Sequence, residues 1–145
     1  MPPRLHGPPI TRVGTLTVPL VDEYLYIEDL VKTEGDFDCF LLAGRYTLLD
    51  HSALDELLPL CAEKQISVVL GGPYNSGILA SDLNTKSTYF YDPSPPQVIE
   101  KAKKIKQVCD RYNTPLKAAA IQFGLMHPSV AATIPGPRSP EEIKD

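Results

Sequence analysis

Three short segments of the 145-residue chain gather the residue types that can hold a ligand. GGPYNSG (71–77) joins two glycines, which allow close backbone approach, to the ring of Tyr74, the amide of Asn75 and the hydroxyl of Ser76. AGRYTLLD (43–50) places Arg45 and Tyr46 directly after Gly44. PGPRSPEE (135–142) sets Gly136, Arg138 and Ser139 before a helix-like stretch. A helix N-terminus with free N–H groups favours an anion, and a guanidinium binds phosphate in bidentate fashion. The same letters also spell an ordinary cap. Ser139 then stands at the N-cap, with Pro140 in the first turn and two acids complementing the dipole. On local sequence both readings stand.

Other chemistries find less support. The chain contains no G-x-G-x-x-G, no G-x-x-x-x-G-K-S/T and no G-x-S-x-G. Asp50 and His51 suggest a base with an orienting carboxylate, but neighbours in sequence rarely face each other on a helix. Cys39, Cys61 and Cys109 lie far apart with no CxxC, which predicts reduced core thiols. His6, His51 and His127 are equally scattered, so no metal site is expected. A net charge of −4 argues against nucleic acid, which calls for a basic face. No apolar run approaches the roughly 20 residues of a membrane span, and MPPRLHGPP lacks a signal-peptide core. A cytoplasmic protein without a membrane partner is the expectation.

The elements that must position these segments alternate in type. VDEYLYIEDLVKTEG (21–35) predicts a helix with Leu25, Leu30 and Val31 as a partial apolar face, while the first 20 residues, with five prolines, read as irregular. FDCFLLAG (37–44) and ISVVLGG (66–72) are short apolar runs closed by glycine, the pattern of strands buried on both faces. Between them, 51–65 predicts a helix capped by Ser52, with Leu54, Leu57, Leu58 and Cys61 on one face and a kink at Pro59. The segment 73–96 is long and irregular, the kind of connection that covers something. An amphipathic helix follows over 97–112. Val98, Ala102, Ile105, Cys109 and Tyr112 line its inner face, Lys101, Lys103, Lys104 and Lys106 its solvated one, and Asn113 ends it. Thr114 and Pro115 open a helix over LKAAAIQFGLMH, VAATI (130–134) is a third strand, and SPEEIKD begins a last helix. Each strand is followed by a helix, which is the order of an α/β fold with a parallel sheet. Such folds bind ligands at the carboxyl ends of the strands, where all three segments fall.

The blocks FDCFLLAGRYTLLD, ISVVLGGPYNSGILA and PLKAAAIQFGLMHPSVAATIPGPRSPEEI resemble the C-terminal half of aldo/keto reductases, within them the aldose (L-fucose or galactose) dehydrogenases. The likeness covers about residues 36–145 and leaves 1–35 unassigned. It implies part of a (β/α)8 barrel, with the three strands as roughly the sixth to eighth, and an oxidoreductase that uses NAD or NADP on a sugar or small aldehyde. By motif position it implies that Gly72, Tyr74 and Ser76 in one loop, and Gly136, Arg138 and Ser139 in the other, hold the dinucleotide. Ala43 and Gly71 stand where many members carry a glutamine and a ring-stacking aromatic, and Glu142 where an arginine often meets the 2′-phosphate. The family's Asp, Tyr, Lys and His motifs have no counterpart here, so no catalytic residue is assigned. The expectation is a fragment that lacks turnover by itself and self-associates through exposed strand edges. The alternative is a non-enzymatic nucleotide-binding or protein-interaction remnant of the fold.

Overall fold

Five-residue apolar runs rich in branched side chains build the middle of a parallel sheet. The computed structural model describes residues 13–14, 37–84, 87–137 and 139–144. Within it β2 (Cys39–Ala43) pairs in parallel with β3 (Ser67–Gly71), which pairs in parallel with β6 (Val130–Ile134). These are the three strands that the apolar runs predict. A fourth, β1 (Val13–Gly14), lies parallel beside β2, so the sheet order is β1-β2-β3-β6. This pair of residues lies within the proline-rich first 20 residues and is too short to leave a hydrophobic period in the sequence. The helix expected over 21–35 lies outside the described residues.

The sheet is not buried equally on its two faces. Phe40, Leu42, Val68 and Leu70 are fully buried on one face, while Leu41, Val69 and Gly71 on the other are half-buried. Apolar residues fall on both faces of both strands, so composition cannot report this asymmetry; which face is covered depends on where the helices pack. The covered face meets α1 (Leu57–Glu63), whose Leu57, Leu58 and Cys61 join Phe40, Leu42, Tyr46 and Ile66 in one apolar cluster. A second cluster joins Leu49, Ile78 and Leu79 to Ala102 of α2 (Pro96–Arg111) and to Leu116 and Ala120 of α3 (Leu116–Phe123).

The first helix is shorter than the expected 51–65. Ser52–Leu54 form a 3-10 turn and α1 starts only at Leu57. Ser52 is not its cap: both its N–H and its hydroxyl donate to Asp50 Oδ1, at 2.9 and 2.6 Å. Leu54 is accordingly 38% exposed rather than on the helix face. Pro59 makes no kink, because it falls in the first turn of α1, where the missing N–H has no intrahelical acceptor. At the end of α2, Asn113 is left-handed (φ 51°), and Asn113 and Thr114 donate to the carbonyls of Asp110 and Cys109. That double bond pattern is a Schellman stop. Tyr112, expected on the buried face, is the helix cap and 78% exposed. Pro115 caps α3 instead of Thr114, whose hydroxyl turns back to the Tyr112 carbonyl.

The segment 73–96 is more ordered than its composition indicates. It holds a 3-10 turn, Ile78–Ala80, and a hairpin of β4 (Thr88–Tyr89) and β5 (Asp92–Pro93). Its turn residues are Phe90 and Tyr91 rather than the Asn-Gly or Asp-Gly pair that marks a hairpin in sequence. After β6, α4 (Pro140–Lys144) begins as expected.

Candidate functional site

The register of the sheet brings the three ligand-type segments to one edge. Ala43 lies opposite Gly71, and Gly71 opposite Ile134, so the chain leaves β2, β3 and β6 at the same level. Beyond the strands, Gly44 N–H donates to the Gly71 carbonyl at 3.1 Å and extends the ladder by one bond. Gly44 (φ 70°) and Gly72 (φ 62°) both adopt the left-handed backbone that turns each loop off its strand, a conformation that glycine enters without a steric penalty.

The loop after β2 is held by its own polar side chains. Thr47 Oγ1 accepts the N–H groups of Leu49 and Asp50, both at 3.1 Å. Asp50 accepts from Ser52 and also faces the Arg45 guanidinium at 3.4 Å, with each side chain only 14% exposed. Lys101 Nζ reaches across from α2 to the Leu49 carbonyl at 2.8 Å, so this lysine is a tie between elements rather than part of a purely solvated face. His51 does not meet Asp50. Its ring stacks on Phe123, 5.2 Å between centroids at 24°, and the acid–base pair considered from adjacency is absent. His127 likewise has a structural partner, Ser129 Oγ at 2.8 Å from Nδ1, and burial pushes its pKa down.

Among the residues assigned to the dinucleotide after β3, Gly72 is exposed and accepts the Asn75 N–H at 3.0 Å. Tyr74 is half-buried and packs its ring on the second apolar cluster. Ser76 fastens the hairpin: its Oγ accepts the Tyr91 N–H at 3.1 Å and its carbonyl accepts from Thr88 Oγ1 at 2.7 Å. Asn75 and Ser76 are both left-handed, at φ 47° and 60°. Asn75 is buried; its Nδ2 donates to the Gly44 carbonyl at 3.4 Å, while Oδ1 is buried with no hydrogen-bond partner. A buried acceptor left unmatched costs about 1–3 kcal/mol. This is the feature of the loop that fits an added ligand N–H.

In the turn after β6, Gly136 is exposed, with open space where a Cβ would stand. Arg138 lies outside the described residues. Ser139 Oγ accepts the Glu142 N–H at 3.3 Å, so the capping role is realised. The Glu141 carboxyl is held below its ordinary range by its own backbone N–H and by the Ser139 hydroxyl.

Phe90 was not among the candidates from sequence. Its ring lies above the Arg45 guanidinium, 5.2 Å to the centroid, and meets Tyr89 edge-on at 4.6 Å. Burial, then the nearby Asp50 charge, raises the Tyr89 phenol above its usual range, with Arg45 opposing. The run YFYDP offered a faint signal, adjacent aromatics inside a proline-rich connection. A separate cleft of about 520 Å³, lined by Leu83, Ser94, Ile99 and Lys103 among others, shares no residue with segments 43–50, 71–77 and 135–142. Among the described residues no group of three His, Cys, Asp or Glu side chains is placed to hold a metal, and no helix is long and apolar enough to cross a membrane.

The model of the aldo/keto reductase family matches residues 21–145, which begins before residue 36, where the resembling blocks start. The chain is 41% identical over 124 residues to a pyridoxal 4-dehydrogenase of Microbacterium luteolum, covering 86% of this chain and 36% of that protein. It is 37% identical over 111 residues to a D-threo-aldose 1-dehydrogenase of Pseudomonas sp, covering 76% and 34%. An NADH-specific methylglyoxal reductase of Escherichia coli (strain K12) is 22% identical over 120 residues, covering 77% and 36%. The chain thus spans about a third of the length of the curated relatives it matches. A parallel sheet with its loops at one edge and a family match over most of the sequence lead to one statement: this chain belongs to the aldo/keto reductase family.

Proposed function

We propose that the chain supplies the dinucleotide-holding end of an NAD(P)-dependent oxidoreductase, with β2, β3 and β6 as about the sixth, seventh and eighth strands of a (β/α)8 barrel. The observation that carries this reading is the shared level of Ala43, Gly71 and Ile134, from which both candidate loops depart side by side. Gly72 gives a backbone without a Cβ at the first loop, and the Ser76 hydroxyl, which accepts from Tyr91, keeps its own proton to donate. Gly136 leaves open space at the second turn, where Arg138 is the cation for a phosphate and Ser139 the cap that orders the following N–H groups. The bound dinucleotide supplies the carbon that accepts or gives the hydride. The relatives' names extend the reading to an aldose or another small aldehyde as substrate of the intact enzyme.

Glu141 and Glu142 in the first turn of α4 oppose a further phosphate there, which favours NAD over NADP. No proton donor is assigned at the strand ends, so residues 1–145 by themselves bind the dinucleotide without turning over substrate. Calorimetric titration with NAD+ and NADP+ tests the reading. Saturable binding, weakened about tenfold in Arg138→Ala as expected for loss of a charge-assisted contact of roughly 1.5 kcal/mol, supports it. Absence of binding by the unaltered chain refutes it. A partner protein captured through the sheet edge, without nucleotide affinity, would favour the interaction remnant instead.

A further inference from the structure

A strained hairpin carries an aromatic ring to the carboxyl end of the sheet, where β2 and β3 end in Ala43 and Gly71 and offer no flat side chain. Phe90 and Tyr91 occupy the turn between β4 and β5 with φ of 51° and 67°. Bulky residues rarely adopt that backbone, and it persists only where the surroundings fix it. Ser76 fixes it here through the Tyr91 N–H and the Thr88 hydroxyl. The Phe90 ring then stands at the end of β2: its Cε1 is 3.8 Å from the position a Gly44 Cβ would take. Arg45, itself held by Asp50, underlies the ring, and Tyr89 abuts its edge at 77°. Three neighbours fix the side chain, yet 42% of the residue remains exposed. Next to it Asn75 is tied to the Gly44 carbonyl and keeps a buried Oδ1 without a donor. A rigid aromatic surface beside an unmatched acceptor, at the ligand end of a parallel sheet, suits a planar ring that carries an N–H group.

We propose that Phe90 determines specificity for the nicotinamide end of the dinucleotide, stacking its ring on the planar carboxamide-bearing heterocycle. The inference rests on the dinucleotide reading above and adds the residue that reads the ring. The aromatic surface comes from the long connection after β3, not from a strand. ADP-ribose keeps the adenosine and both phosphates but lacks that heterocycle, and so separates the two claims. Calorimetry of residues 1–145 with NAD+ and with ADP-ribose is expected to show NAD+ weakened roughly five- to tenfold in Phe90→Ala, ADP-ribose unchanged, and NAD+ affinity restored in Phe90→Tyr. Unchanged NAD+ affinity in Phe90→Ala, or equal weakening of both ligands, overturns the role of Phe90 and leaves the dinucleotide reading standing. Failure of the unaltered chain to bind either ligand overturns both.

Discussion

Cys61 shows how a single side chain reports on the core. It is wholly buried beneath the sheet, and burial, with Cys39 nearby, pushes its thiol from 9.0 up to about 11. The folded state therefore holds the thiol neutral at pH values where the unfolded chain ionises it. Its stabilising contribution is fully present below pH 9 and is lost as pH rises towards 11. Over that window the loss is on the order of 2 kcal/mol. Urea unfolding at pH 8 and pH 10.5 checks this: stability is expected to fall more steeply in the unaltered protein than in Cys61→Ala. Parallel slopes would show that Cys61 plays no part in the alkaline loss. The buried placement was legible from sequence, since Cys61 sits among Leu57 and Leu58 at helical spacing. That Asp50 serves Ser52 and Arg45, and not His51, was not legible. Those partners depend on how the loop after β2 folds back on itself.

At the scale of elements, close packing against β3 is decided by one glycine. Gly124 opens the 3-10 turn Gly124–Met126 after α3, and a Cβ built there would overlap the Leu70 side chain. Because Leu70 is itself buried in the core, it has little room to yield. Gly124→Ala is expected to destabilise the fold by about 1–3 kcal/mol, read as a lower urea midpoint with an unchanged slope. An unchanged midpoint would mean that the turn shifts freely on the sheet. β2, β3, α2 and α3 were legible because each carries a local apolar pattern that stops near a glycine or asparagine: Gly44, Gly72, Asn113 and Gly124. The hairpin was hidden because Phe90 and Tyr91 lack turn character. Their backbone is imposed by Ser76, a contact across 15 residues.

For the molecule as a whole, the open side of the sheet matters most. β6 ends the sheet in the order of the described strands, with Ala131, Ala132 and Ile134 exposed along it. An unpaired strand edge with apolar side chains templates pairing with another chain. Sedimentation at rising protein concentration is expected to show reversible self-association that Ile134→Lys reduces. A strictly monomeric unaltered chain would refute this.

By itself the sequence determined the α/β class, the order of the three longer strands and the helices that follow them, and the three segments from which a ligand site is drawn. It could do so because apolar periodicity and glycine or proline stops are local properties of the chain. Only the tertiary structure decided that one sheet face is covered and the other half-open, and that Phe90 stands at the end of β2. Each of these follows from contacts between residues distant in sequence or from the φ angles that such contacts enforce. No local pattern of residue types encodes them.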